Sequence, residues 1–461
     1  MYSFDMKTIF EKNIIKIVII FSTSVLLYNL FNYDQKNSYD YELIYWYVQG
    51  LPYQIPTIEQ NPIYYHPPLP YFFSSIVDSA CDYYLKSDNL VICDNLWHIA
   101  SQAFQILLML GMVYFYFKTF LIIFGKEISV YLKTFFLILL LIQTVNYKAF
   151  SMIRAEPYLA FLSSILVFRL VRMLRENSID YRGSIQVGLI CGLMILTKQT
   201  AFGIFLGATI FLFLINKSEK ISIQNIVANS FVVIIVCLLV GGWFYLDQMN
   251  RYDSVASIPR EKAEFNLNNH KTEYYFGLGL ESLFSAPTKY NFDVKMLPIL
   301  YSDTWGDYWG YYSYDRKNFD DEIYMEQINN KLSIINLKAL LPASILIFGL
   351  VFTLKNIIKQ EKFENEFKFD SLLLLISITS ISFLSYLYFL IIYPYLTDGS
   401  YNLHGDGLKG VYIIVIVNLL TYFGINFLER IEQKNDKFFK FIFFLSLLFY
   451  FSSFFDLASN I

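Results

Sequence analysis

The chain has 461 residues, 56% of them hydrophobic and only 16% charged, against about 25% charged in an ordinary soluble domain. That excludes a water-soluble globular protein and makes lipid the main solvent. Aromatic residues reach 19%, with 45 Phe and 38 Tyr, as suits apolar helix packing and interfacial belts. A formal net charge of −3 leaves no electrostatic footprint for nucleic acid.

From the N-terminus onward, apolar runs of about 20 residues bounded by charge predict an all-α, polytopic transmembrane bundle of about eleven spans. They lie at 13–31, 100–123, 130–147, 157–173, 184–198, 200–215, 224–246, 336–354, 371–395, 408–427 and 438–456. The first follows Lys7 and Lys12, carries Lys16 in its first turn and lacks a small-residue cleavage site, so it reads as an uncleaved span. No internal repeat or Gly/Ser linker divides the chain, and residues 1–461 read as one integral membrane domain.

The run 184–216 is ambiguous, being roughly 48 Å of helix, too long for one span and short for two. As one helix it would hold Lys198 near the bilayer centre, at about 2.5–3.5 kcal/mol on insertion scales. A hairpin with Lys198 at the surface is cheaper. The hairpin also agrees with the excess of Lys and Arg in cytoplasmic loops. It gathers Arg169, Arg172, Arg175 and Arg182 inside, with Lys217 and Lys220, the group Lys355 to Lys368, and the group Arg430 to Lys440. The short outer loops then hold only Lys148, Arg154, Lys198 and Lys409. Two long connections, 32–99 and 247–335, fall on the outer side. Cys191 and Cys237 lie in apolar runs, whereas Cys81 and Cys93 share the first long loop. There they either pair, closing a loop worth roughly 3 kcal/mol, or remain free thiols.

The first loop carries Tyr39-Asp40-Tyr41-Glu42, then Gly50-Leu51-Pro52-Tyr53, then His66-Pro67-Pro68-Leu69-Pro70-Tyr71. A carboxylate at the membrane surface is either a general base or an interfacial acid beside an aromatic belt. Further on come Arg154-Ala155-Glu156-Pro157, the run from Gly188 through Gly192 to Leu196-Thr197-Lys198, and Lys409-Gly410-Val411-Tyr412.

In order and rough spacing these elements resemble the GT-C superfamily of membrane glycosyltransferases, among them the family 39-like protein O-mannosyltransferases and aminoarabinose transferases. Such enzymes place an Asp after the first span, an aromatic helix ending in Gly-x-x-Tyr, and a Pro-Pro-x-x-Tyr element. The resemblance implies a sugar donor on a polyprenyl phosphate, with a lipid, glycan or protein as acceptor. It implies Asp40 as general base, with Glu42 second and Glu156 as a further acidic group. Lys198, Arg154, Lys409 and Tyr412 would bind the donor phosphate. Duller roles stand beside these: Lys198 caps a hairpin, Arg154 pairs with Glu156, and Lys409 neutralises Asp398 or Asp406.

In the second loop, Asp303-Thr304-Trp305-Gly306-Asp307-Tyr308-Trp309 combines carboxylates with aromatic faces. With His66, the residues Trp305, Asp307, Tyr308 and Trp309 are expected to bind sugar or acceptor, or else Trp and Tyr anchor the loop at the interface. No metal site is expected, because His66, His270 and His404 are scattered singly and His98 sits at a helix entrance. Some superfamily members use a divalent ion and others none, and the sequence does not choose.

The rival reading is a transporter or flippase of lipid-linked or amphipathic substrates. Such proteins place ionisable residues near the midplane and often show inverted repeats, whereas here the polar residues gather at one surface. The Lys-, Asn- and Ile-rich composition points to a bacterial genome, hence the cell membrane with the N-terminus cytoplasmic. This topology places the C-terminus outside, so a reporter fused there should be active only on the outer side; a cytoplasmic signal would contradict the count.

Overall fold

A computed structural model describes all residues except 1–5, 52, 86–89, 177–179, 216–222, 254–264, 290–293, 315–320, 360–365, 393–406 and 460–461. His404, Asp398 and Asp406 therefore lie outside the described residues, as does Pro52 of the Gly50 motif. Every helix or strand assigned among the described residues is helical.

The order begins with α1 (Met6–Asn32), α2 (Tyr41–Gly50), α3 (Leu69–Leu85), α4 (Leu90–Phe124), α5 (Val130–Leu141) and α6 (Thr144–Ser151). Next come α7 (Glu156–Glu176), α8 (Tyr181–Ile195), α9 (Ala201–Ile215), α10 (Ile223–Cys237) and α11 (Trp243–Tyr252). The second long connection contributes α12 (Thr272–Phe276), α13 (Leu280–Ser285) and α14 (Met296–Trp305). The chain then runs through α15 (Glu322–Ile358), α16 (Glu366–Ile392), α17 (Ile414–Lys434), α18 (Asp436–Ser452) and α19 (Phe454–Leu457).

Seven helical segments are long and apolar enough to cross a membrane, or eight if the bent pair α5 and α6 counts as one span. They fit a multi-pass membrane protein. Each expected span overlaps a helix, but the count of eleven is not reached on length. The runs 184–198, 200–215 and 438–456 fall on helices of 15, 15 and 17 residues. At 1.5 Å per residue these rise about 22–26 Å, short of a hydrocarbon core of about 30 Å. The long loops carry helices of their own. Helix α15 begins at Glu322, well before the apolar run at 336, because the Asp321 carboxylate accepts the N–H groups of Ile323 and Tyr324 at 3.0 and 3.1 Å.

Helix packing follows small residues and buried amides. On α8, a Cβ at Gly188 would lie 2.7 Å from Val236 Cβ of α10, and one at Gly192 2.5 Å from Val240 Cβ of the π-helical turn Leu238–Gly242 that follows α10. Bare glycines four apart are what lets these helices touch. Between α5 and α6 the path bends by 53°. The break frees backbone carbonyls in an apolar setting, and side-chain amides take them up: Gln143 donates to Leu139 O and Asn146 to Leu140 O, each at 2.8 Å. Asn146 and Asn418 of α17 also bond each other at 3.0 and 3.1 Å, fixing the bend against the bundle.

In the first loop Cys81 and Cys93 are disulfide-bonded, whereas Cys191 and Cys237 are free and buried. Thiol labelling of the denatured, unreduced protein should therefore modify two cysteines, and after reduction four; four before reduction would contradict the pairing.

Candidate functional site

Asp40 owes its position to a pinned approach. The buried Gln35 side chain donates to Ser151 O at 2.5 Å and accepts from Ile153 N–H at 3.1 Å. Tyr33 donates to Tyr311 O at 2.9 Å. The chain leaving α1 is thus tied to the strap between α6 and α7 and to the second loop. Asp40 then takes φ 61° and ψ 18° as the residue before α2. It is one of two non-glycine residues with positive φ among those described. Asp tolerates the left-handed region better than most, at about 1 kcal/mol or more, and such residues gather at functional sites. Its side chain makes no capping bond to α2. It lies 3.3 Å from Arg154 Nη1 with 39% of its surface open.

Arg154 is the hub. Its side chain is only 5% exposed, and it donates from Nη1 to Tyr39 O at 2.8 Å and to Asp40 Oδ2 at 3.3 Å. Its Nε reaches Glu156 Oε2 at 3.4 Å. Glu156 opens α7, where the helix dipole favours a carboxylate. Its other oxygen accepts from Lys198 Nζ. Lys198 occupies the non-helical turn between α8 and α9, and its ammonium lies 3.7 Å from the centre of the Tyr412 ring. Lys409, just before α17, is 4.0 Å from the Tyr39 ring centre, while Arg154 is 3.5 Å from it. Tyr39 is thus flanked by two cations, a role the sequence reading did not give it.

Burial alone would raise the Asp40 carboxyl, but Arg154, Lys409 and His66 outweigh it and hold it below its ordinary value. Asp40 is therefore ionised across neutral and mildly acidic pH. Burial, then Arg154 and Lys198, push His66 down to about 4, so the ring is neutral at pH 7. Its Nδ1 shares a hydrogen bond with Tyr71 Oη at 2.9 Å. Burial also lowers Lys198, with Glu156 acting against it.

Both long loops clamp the cation-bearing turns. Just after Pro67 and Pro68, Leu69 N–H donates to Leu196 O at 3.2 Å, joining the first loop to the Lys198 turn. In the second loop, Asp303 Oδ2 accepts from Gly410 N–H at 2.6 Å, and Trp309 Nε1 donates to Leu408 O at 2.9 Å. A Cβ on Gly410 would stand 2.7 Å from Asp303 O, so this contact needs glycine. Lys148, buried on α6, bonds Asp303 Oδ1 at 2.6 Å and approaches Asp307 at 4.0 Å. Asp307 in turn accepts from Tyr312 N–H and Ser313 N–H at 2.8 Å.

The structure thus brings Asp40, His66, Arg154, Glu156, Lys198, Lys409 and Tyr412 together. Glu42 is exposed and joins none of these pairs. Trp305, Asp307, Tyr308 and Trp309 are buried, so they offer no open face for a sugar and act instead as the scaffold under Lys409. Sequence reading missed Tyr39, Lys148 and Asp303 as site supports. The signal for Lys148 was its place among the few basic residues expected on the outer side, and Asp303 stood in the quoted second-loop motif. His270 packs against Tyr274, away from these residues. Among the described residues no group of three or more His, Cys, Asp or Glu is placed to hold a metal. The two acids of the cluster are bridged by a guanidinium, and this donor set does not fit a divalent ion.

Comparison with models of known protein families finds none that matches this chain, and comparison with curated proteins finds none that matches it. Glu156→Gln would leave the buried Arg154 and the part-exposed Lys198 without their shared carboxylate. The loss of folding stability should be about 3–5 kcal/mol, read from denaturant or thermal unfolding in detergent; an unchanged midpoint would remove Glu156 as the electrostatic keystone.

Proposed function

We propose that the chain is an inverting membrane glycosyltransferase of the GT-C type, transferring a sugar from a polyprenyl-phosphate donor to a lipid, glycan or protein hydroxyl. The observation that carries this reading is the meeting of an open, ionised carboxylate with cations from three distant turns. Asp40 stands 3.3 Å from Arg154, and Lys198 shares Glu156 with that arginine. Lys409 faces the ring of Tyr39, the residue beside Asp40.

These groups suit a single displacement. The acceptor O–H gives its proton to the Asp40 carboxylate as the oxygen bonds to the anomeric carbon. The bond from that carbon to the phosphate oxygen breaks, and the electron pair leaves with the lipid phosphate. Lys198, Arg154 and Lys409 stabilise the charge that develops there, in a setting where burial strengthens the attraction. Attack opposite the leaving group inverts the sugar.

For topology, the seven long spans, the bent pair, the shorter α8 and α9 and the 17-residue α18 together make the eleven crossings of this proposal. A chain break at Lys198 between α8 and α9 supports the hairpin. The disulfide in the first loop supports an oxidising, outer location for the site.

Mass analysis of glycolipids and surface glycans from cells with and without the protein should reveal a missing sugar. Asp40→Asn should not restore it, with transfer down at least about 10²-fold and membrane insertion unchanged; full activity would remove Asp40 as the base. Because Lys409 helps hold Asp40 ionised, Lys409→Gln should raise the pH at which transfer falls off on acidification. An acid limb at the same pH in both proteins would contradict that coupling.

A further inference from the structure

Helices α7 and α17 bring Glu156 and Lys409 to the Asp40 cluster at one end, and about 30 Å away their other ends meet a second polar feature. A cavity of about 770 Å³ opens between the ends of α4, α7, α15 and α17 and the start of α16. That volume is within the roughly 300–1,000 Å³ of small-ligand pockets. Six cations line it: Lys126, Arg175, Lys355, Lys368, Arg430 and Lys434. Among the described lining residues one carboxylate, Glu429, faces them, and it is held by Lys368. Lys368 also lies 4.6 Å from the centre of the Phe124 ring. Phe124, Phe352 and Phe367 give the cavity an apolar side, and Asn356 and Gln433 add neutral polar groups.

An excess of Lys and Arg is ordinary at one end of a membrane bundle. Here, however, cations from four separate helices and from the turn after α4 border one volume that also has an apolar wall at the membrane boundary. Basic pockets between helices at this level suit phosphate headgroups. The apolar wall beside the cations favours an occupant with an acyl chain over a wholly soluble anion. We propose that this cavity binds the headgroup of an anionic bilayer phospholipid, independently of the chemistry at the Asp40 end.

The test is native mass spectrometry of protein taken from nanodiscs of mixed phosphatidylglycerol and phosphatidylcholine, counting retained lipid. Arg430→Gln/Lys434→Gln removes two cavity cations and leaves the Lys368 to Glu429 pair intact. Lys359→Gln/Lys437→Gln removes the same charge from the same end but outside the cavity. The proposal expects retained phosphatidylglycerol in the native protein and the second variant, and about a tenfold loss in the first. Equal loss in both variants, or no loss in the first, would overturn it. Protein that retains phosphatidylglycerol, titrated with inorganic pyrophosphate, completes the comparison: tight binding that displaces phosphatidylglycerol and vanishes in the first variant would overturn the lipid assignment in favour of a soluble phosphate.

Discussion

A guanidinium buried in a helical membrane protein must be compensated, and the compensation of Arg154 organises this molecule. Leaving such a charge unpaired would cost several kcal/mol, so the chain around it has little freedom. One neighbour is the backbone of Tyr39, one the Asp40 carboxylate and one Glu156. Through Glu156 the constraint passes to Lys198, and through the Tyr39 ring to Lys409. Four parts of the chain are thereby joined electrostatically at one end of the bundle. Asp40 is the most open member of the cluster, with 39% of its side chain exposed, and Arg154 holds it at 3.3 Å.

The long loops serve this arrangement as clamps. Leu69 ties the first loop to the Lys198 turn, and Asp303 with Trp309 ties the second to the Lys409 turn. Lys148 compensates the buried Asp303, so a second ion pair supports the position of the first cluster. Under the proposed transfer, cations that meet a leaving phosphate are effective only if their positions are set beforehand, since reorganisation during reaction would cancel their advantage.

How much of this was legible in the sequence depends on the range of the interaction. Hydropathy is a local property, so every expected span overlaps a helix, and the insertion cost of Lys198 located the break between α8 and α9. Asp40 and the cations expected on the outer side could be singled out because that choice needed only topology. The aromatic second-loop motif misled, because Trp305, Tyr308 and Trp309 look alike whether they face a sugar or fill a core. For Tyr308 and Trp309 the burial comes from a partner about a hundred residues away, Leu408, which packs with both and accepts the Trp309 N–H. The cation-flanked Tyr39 and the Lys148 to Asp303 pair were hidden for the same reason. The early start of α15 was missed because an apolar-run search does not see a polar, capped helix start.

Hydrogen–deuterium exchange of Arg154→Gln against the native protein tests the organising role of that arginine most directly. Losing the hub should release the segment from Tyr33 to Gly50 and the turns bearing Lys198 and Lys409. Exchange there should rise sharply while the centres of α4, α7 and α17 keep their protection. Unchanged exchange in those three segments would mean that they are held together without Arg154, and the account of the site built on it would fail.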